Sequence, residues 1–63
     1  MSANNYLVIR GVKGGYEVWM RDADTGHFLG QPRKAKTLKQ ALQVAQEWMS
    51  EELIEYGIRQ IDL

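Results

Sequence analysis

The sequence predicts an α+β fold, in which a three-stranded antiparallel sheet packs on one long C-terminal helix. Two observations favour the sheet. Residues 16–21 alternate between two faces with the period of a strand, and residues 22–26 include the Asp and Gly residues that are typical of a tight turn. A third observation favours the helix, because apolar side chains recur at spacings of three and four between residues 38 and 56.

The first strand is predicted at residues 6–10, after a flexible lead-in of residues 1–5. Its aromatic and β-branched side chains are typical of strands, and the glycines of residues 11–15 predict a hairpin loop before the second strand. Alternation then divides the side chains between two faces. The face toward the helix receives Leu7, Ile9, Tyr16, Val18 and Met20, and the outer face receives Tyr6, Val8, Arg10, Glu17, Trp19 and Arg21.

The third strand is predicted to begin near His27 and to end at Pro32, which cannot donate to a strand ladder. The sheet then occupies residues 6–32, and residues 31–36 form a basic connector. Trp19 is expected to lie across the backbone of Gly30. The predicted register places the following residues opposite one another: Asp22 and His27, Arg21 and Phe28, Met20 and Leu29, Trp19 and Gly30.

The helix is predicted over residues 37–56. Thr37 and Gln40 have the spacing of a capping box, in which the Thr37 hydroxyl accepts from the Gln40 N–H and the Gln40 side chain accepts from the Thr37 N–H. Gly57 is expected to end the helix as a left-handed cap, with Ile58 packed on Leu53. The apolar stripe comprises Leu38, Ala41, Leu42, Ala45, Trp48, Met49, Leu53 and Tyr56.

A helix of this length extends beyond the sheet beneath it. Residues 38–56 span about 28 Å, whereas strands of ordinary length span about 17–20 Å. The end of the helix therefore needs other cover, which residues 58–63 supply as a tail or as a short fourth strand. A second copy of the chain is the alternative, and an exposed Ile54 off the stripe favours a homodimer or a docked partner.

Length and composition limit the class of protein. The 63 residues are enough for one small domain, and the absence of Cys excludes disulfides and thiolate metal sites. The polar N-terminus lacks the apolar run of a signal peptide, and no apolar stretch is long enough to cross a bilayer. We therefore expect a cytoplasmic protein without a membrane partner.

The net charge of zero hides an asymmetry. Residues 1–40 carry seven basic and three acidic side chains, whereas residues 41–63 carry one basic and five acidic side chains. A basic sheet and an acidic helix make a polarised molecule, and the sheet suits an acidic partner. The alternative interpretation is that both are solvated faces.

The sequence contains no visible set of catalytic residues or metal ligands, so we expect no enzyme activity, no cofactor and no metal. His27 is the single histidine and lies beside a turn, with no Cys or Ser arranged to use it. Asp22 and Asp24 are typical turn-forming residues. The glycines at positions 11, 14 and 15 match neither a phosphate loop nor a dinucleotide fingerprint.

The exposure of Trp19 determines whether the outer face is part of a core or is available for binding. A Trp in a strand of a small domain is usually a core residue. Burying Trp19 would also bury Glu17 and Arg21 on the same face, which is costly unless a partner covers them. An exposed Trp beside an Arg is therefore the best functional clue in the sequence.

The segment Gly-Tyr-Glu-Val-Trp-Met-Arg-Asp-Ala-Asp-Thr-Gly-His-Phe-Leu-Gly, with Thr37, Ala41 and Ala45 on the following helix, resembles the DNA-binding domain of plant ethylene-response factors and of lambda-type phage integrase N-termini. The resemblance covers residues 6–49. It implies that the outer sheet face enters the major groove, and it suits a phage or plasmid accessory factor. The DNA contacts that it implies are Arg10, Trp19 and Arg21, with Lys13 and Arg33 as phosphate contacts. Lys34 is a further candidate, because it belongs to the basic run that precedes the helix.

Two other interpretations stay open. The segments Gly-Gly-Tyr-Glu-Val and Lys-Thr-Leu-Lys-Gln-Ala-Leu-Gln-Val-Ala-Gln-Glu are similar to the second strand and helix of HicB-like antitoxins, although a Pro-Asp-x-Pro-Gly segment of that family is replaced here. That resemblance implies a strand-strand-strand-helix-strand order that uses residues 58–63, and an inhibitor that binds another protein. A small interaction module of neither family is the third interpretation.

Overall fold

The computed structural model describes residues 4–62. Within this range the sheet has the strand order β3-β2-β1-β4, and the helix packs on one of its faces. The α+β fold is thus confirmed, and residues 58–62 form a fourth strand that lies parallel to β1. The elements are β1 (Asn5–Val12), β2 (Gly15–Asp22), β3 (Arg33–Ala35), α1 (Leu38–Glu51) and β4 (Ile58–Asp62).

The predicted ends of the chain are partly outside this range. Residues 1–3 of the predicted lead-in and Leu63 of the predicted tail lie outside the described residues. Asn5 does not belong to a flexible lead-in, because it already pairs with Asp22 in the sheet. The lead-in prediction is therefore wrong at Asn5.

The hairpin between β1 and β2 is tighter than the predicted loop of residues 11–15. The ladder runs without interruption to the pair Val12 and Gly15, which leaves Lys13 and Gly14 as the turn. Gly14 has φ +88°, a left-handed conformation that favours glycine. A Cβ atom on Gly15 would collide with the carbonyl oxygen of Ala35, so this glycine allows β3 to approach β2.

The third strand differs from the prediction. The predicted register is confirmed as far as a bridge between Arg21 and Phe28, and the Asp22 N–H donates to the His27 carbonyl at 2.9 Å. The chain then leaves β2 at Gly30, which has φ +74°. Pro32 also lacks a donor for the ladder, so pairing resumes only at β3, opposite residues 16–18 and with the register shifted by two residues.

Two consequences follow for the predicted boundaries. The sheet does not end at residue 32, because residues 33–35 of the predicted basic connector form β3. Trp19 does not pair with Gly30, and no atom lies within 4 Å of the position that a Cβ atom would take on that glycine. The Trp19 ring packs against Phe28 instead.

The main hydrogen bond at the start of α1 is the one that the sequence predicts. The Thr37 hydroxyl accepts from the Gln40 N–H at 3.1 Å, as predicted. The Gln40 side-chain oxygen accepts from the Lys36 N–H at 3.0 Å rather than from the Thr37 N–H. The cap therefore also fixes the last residue before Thr37.

The end of α1 differs from the prediction by five residues, because the helix ends at Glu51 and not at Tyr56. Glu52 is extended, and the chain after it is held by Asn5, whose side-chain oxygen and carbonyl accept from the N–H groups of Glu55 and Tyr56, each at 3.1 Å. Gly57 does have a positive φ of 63°, but it lies in the loop before β4 and is not the helix cap.

The shorter helix removes the predicted overhang. Leu53, which was predicted on the buried stripe, is 75% exposed, whereas Ile54 is half-buried against the core. The predictions of a buried Leu53 and an exposed Ile54 are therefore both wrong. Without an overhanging helix and an exposed Ile54, the geometric argument for a second copy of the chain no longer holds.

The core lies between α1 and one face of the sheet. Helix positions 41, 45 and 48 pack on this face, as predicted. Within residues 4–62, no helix combines the length and the apolar character that are needed to span a bilayer. The opposite face of β1 and β2, called the outer face below, is not covered by α1. The buried core consists of Leu7, Ile9, Val18, Ala41, Ala45 and Trp48.

Candidate nucleic-acid interface

Trp19 and Phe28 form an aromatic pair on the outer face. Trp19 points away from the core because it alternates with the buried Val18, and Phe28 joins it through its bridge with Arg21. The two ring centroids are 4.7 Å apart and the rings are tilted by 49°. The Trp19 indole N–H also donates to the Glu17 carboxylate at 3.2 Å. Trp19 is half-buried by these neighbours, while Phe28 is 43% exposed.

The turn after β2 fixes the position of Arg21. The Asp22 side chain accepts from the Asp24 and Thr25 N–H groups, and Gly26 takes φ +76° to complete the turn. The carbonyl of Gly26 accepts from the Arg21 Nε–H at 2.8 Å. The guanidinium therefore lies over the Phe28 ring, at 5.4 Å from its centroid, instead of extending into solvent.

A second cation and two tyrosines lie on the other side of Arg21. Tyr6 of β1 is directly opposite Arg21 in the ladder. The Arg59 guanidinium is 5.7 Å from the Tyr6 ring centroid and 5.5 Å from that of Tyr56. Tyr56 is held in place through its N–H bond to Asn5 and is 45% exposed.

Together these side chains form a strip of rings and guanidinium groups across the sheet, in which Tyr6 and Arg21 are linked by their pairing in the ladder. This strip is called the aromatic–arginine row below. Arginine over an aromatic face is favourable because the ring's negative face attracts the cation. Val8, opposite Trp19 in the ladder, is only 2% exposed and forms the floor beside the row. In order, the row consists of Tyr56, Arg59, Tyr6, Arg21, Phe28 and Trp19.

The other half of the outer face is charged and lies nearer the hairpin. Arg10 is exposed and stands opposite Glu17 and Asp62, and Lys34 is exposed on the other side of Glu17. Lys13 lies at the hairpin turn. Lys13 and Lys34, together with Lys36, line a shallow depression of about 800 Å³.

Arg33 is the predicted contact that the structure places elsewhere. It is opposite Val18, on the face toward the helix, and both of its terminal nitrogens donate to the Glu51 carboxylate, at 2.9 and 3.3 Å. Its guanidinium also lies 4.3 Å from the Trp48 ring centroid. This pairing raises the pKa of Arg33 and lowers the pKa of Glu51, in both cases mainly through the hydrogen bonds between them.

The structure thus brings most of the predicted residues together. Arg10, Trp19, Arg21 and Lys34 share the outer face, Lys13 is at its end, and Arg33 is behind the sheet. Tyr6, Phe28, Tyr56 and Arg59 were not among the predicted site residues. Strand alternation already placed Tyr6 and Phe28 on this face, but only the pairing of β4 with β1 brings Arg59 to it.

His27 is exposed beside the turn, and residues 4–62 contain no group of three His, Cys, Asp or Glu side chains that could hold a metal ion. No protein-family model, curated protein or solved structure matches this chain. The candidate site therefore rests on the geometry of the outer face.

Proposed function

We propose that this chain binds DNA through the outer face of its sheet and has no catalytic role of its own. The observation that carries the proposal is the aromatic–arginine row. Exposed rings and guanidinium groups on one face are poorly suited to a purely solvated surface, and they are the side chains that contact bases and phosphates in nucleic-acid complexes.

The charged half of the outer face supports the same proposal. Arg10 and Lys34 are exposed beside the row, and Lys13 projects from the hairpin turn at its end. Lysine and arginine side chains in such positions neutralise phosphates and release counterions from the nucleic acid. The row and these cations together offer both kinds of contact within one surface.

Two acidic side chains of the outer face, Glu17 and Asp62, each stand opposite Arg10, whereas the acidic residues of α1 lie away from this surface. Glu47 and Glu51 belong to α1, which packs on the opposite face of the sheet. Because like charges repel, a polyanion is guided toward the sheet and away from the helix. The neutral total charge of the chain is compatible with DNA binding for this reason.

The test is an NMR titration at low salt with a mixed-sequence duplex and, separately, with one of its strands. We expect the amides of β1, β2 and residues 26–29 to shift. With about three phosphate contacts, the logarithm of the binding constant should fall with the logarithm of salt concentration at a slope of roughly −2 to −3.

Two lysines provide the matched comparison. Lys34→Ala should weaken binding to all sequences alike, whereas Lys39→Ala, on the exposed side of α1, should leave it unchanged. If neither form of DNA shifts the outer-face amides, the DNA proposal is wrong.

The fourth strand favours a second candidate, a protein-binding inhibitor. The order of three strands, a helix and a strand is the one implied by the resemblance to HicB-like antitoxins. Among residues 4–62, no strand pairs with the far edge of β4, so this edge can accept a strand from another protein. Failure of the DNA titration would favour this candidate.

A further inference from the structure

We infer that the aromatic–arginine row binds unpaired bases, so that the ligand is a single strand of nucleic acid and not a duplex. This inference rests on the proposed function and adds the class of ligand. Its starting point is the form of the row, in which ring faces and flat guanidinium groups alternate across the sheet.

The two arginines of the row lie over neighbouring aromatic rings. The Arg21 Nε–H is already bonded to Gly26, and the guanidinium lies over Phe28. Arg59 lies near both Tyr6 and Tyr56. Reading a duplex requires side chains that extend into a groove and form hydrogen bonds with base edges. Arginines held against neighbouring rings instead present flat faces, on which bases stack.

A duplex also hides the surfaces that this row can bind. In double-stranded DNA the base faces are stacked on one another, and only their edges are open in the grooves. The solvent-accessible parts of Phe28 and Tyr56, which are 43% and 45% exposed, would then meet no free base. An unpaired strand has free base faces and a flexible backbone, so its bases can reach these rings while its phosphates meet Arg10 and Lys34.

The size of the row suits a short stretch of nucleic acid. The row runs across β4, β1, β2 and the segment at Phe28 that bridges β2. These four neighbouring segments are separated by three interstrand distances of about 4.8 Å, which gives about 14 Å in total. Sheets that present aromatic side chains in this way stack two or three bases. We therefore expect a footprint of about two or three stacked bases, with adjoining nucleotides over the charged half of the outer face.

The experiment compares a labelled single-stranded oligothymidylate with a hairpin duplex of equal phosphate number, by fluorescence anisotropy at fixed salt. An oligouridylate of the same length serves as a third probe. The single strands should bind more tightly than the duplex, and the ratio of the two single strands then tells whether DNA or RNA is preferred.

The variants test the stacking contact itself. Phe28→Ala should weaken single-strand binding about tenfold, whereas Phe28→Tyr should retain it, because the ring is kept. Tyr56→Ala removes a ring at the other end of the row and should have a similar effect. Leu53→Ala is the matched control, because Leu53 is an exposed apolar side chain outside the row.

Three results are distinguishable. Tighter binding of a single strand, lost in Phe28→Ala and Tyr56→Ala but not in Leu53→Ala, supports the inference. Equal or tighter binding of the duplex, with both alanine variants unchanged, overturns the inference and leaves the DNA proposal intact. Binding of none of the three probes overturns both.

Discussion

Alternate residues of the same two strands form the two faces of the β1–β2 hairpin, yet the two faces have different environments. On the inner face, Leu7, Ile9 and Val18 are fully buried under α1. On the outer face, Trp19 and Phe28 stay in contact with solvent although they are larger and offer more apolar surface. The core is thus built on the inner face, while two large aromatic side chains of the outer face remain accessible for the proposed contact with nucleic acid.

The two tryptophans make the same comparison within one residue type. Each indole N–H donates to a glutamate, from Trp48 to Glu52 at 2.6 Å and from Trp19 to Glu17 at 3.2 Å. Trp48 is 4% exposed and closes the core, whereas Trp19 is half-buried on the outer face. The environment, and not the side chain, separates the structural Trp from the candidate binding Trp.

The largest effect is expected on the inner face. Ile9→Ala removes a fully buried side chain and should cost about 2–5 kcal/mol of unfolding free energy, enough to unfold most molecules of a domain this small. The graded variant Ile9→Val should cost about 0.5–1.5 kcal/mol, which urea denaturation followed by circular dichroism can measure. Leu53→Ala is the control and should change the unfolding free energy by less than about 0.5 kcal/mol.

The next effect tests how β3 completes the sheet. Gly15→Ala places a methyl group against the Ala35 carbonyl and should cost about 1–3 kcal/mol through overpacking. Because the clash lies between β2 and β3, amide hydrogen exchange should accelerate at residues 33–35 more than at β1. Uniform acceleration over the whole sheet would show that β3 is not a separable part of it.

A smaller effect is expected where α1 begins, since the helix must be in place to cover the inner face. Thr37→Ala removes the acceptor for the Gln40 N–H and should cost about 1 kcal/mol. Thr37→Ser keeps the hydroxyl and should cost much less. Thermal unfolding of the two variants measures the difference, and equal destabilisation by both would contradict the cap.

The smallest effect concerns the ion pair behind the sheet. The Arg33 guanidinium lowers the pKa of Glu51 below its usual 4.5, so the pair stabilises the fold above that pH and this stabilisation is lost as pH falls through the lowered pKa. Wild type should thus be slightly more stable than Glu51→Gln at pH 7, and the two should converge in acid. A difference that grows in acid would contradict this pairing.

Local patterns predicted the faces of the hairpin and the register as far as Phe28. Alternation in β2 and the Asp22 turn depend on residues close in sequence, so Trp19 and Arg21 could be assigned to one face without a structure. The Thr37 cap was predictable for the same reason. Whether Trp19 is buried stayed open in the sequence, and the structure leaves it half-buried on the outer face.

Distant contacts account for what the sequence did not predict. The helix ends at Glu51 because Asn5, 50 residues before Glu55, binds the backbone of the next segment. Arg59 reaches the row only through the parallel pairing of β4, with an irregularity between Leu7 and Val8. Arg33 is likewise placed behind the sheet by the resumption of pairing at β3. Such contacts leave no periodic pattern in the sequence.

The most direct test of the central claim, that the outer face binds nucleic acid while the inner face holds the fold, uses the two tryptophans as reporters. Trp48→Phe leaves Trp19 as the emitter, and Trp19→Phe leaves Trp48; circular dichroism confirms that each variant is folded. Titration with single-stranded oligothymidylate should quench the fluorescence of Trp19 and leave that of Trp48 unchanged, because only Trp19 lies on the outer face. Quenching of Trp48 alone, or of neither tryptophan, would contradict the account.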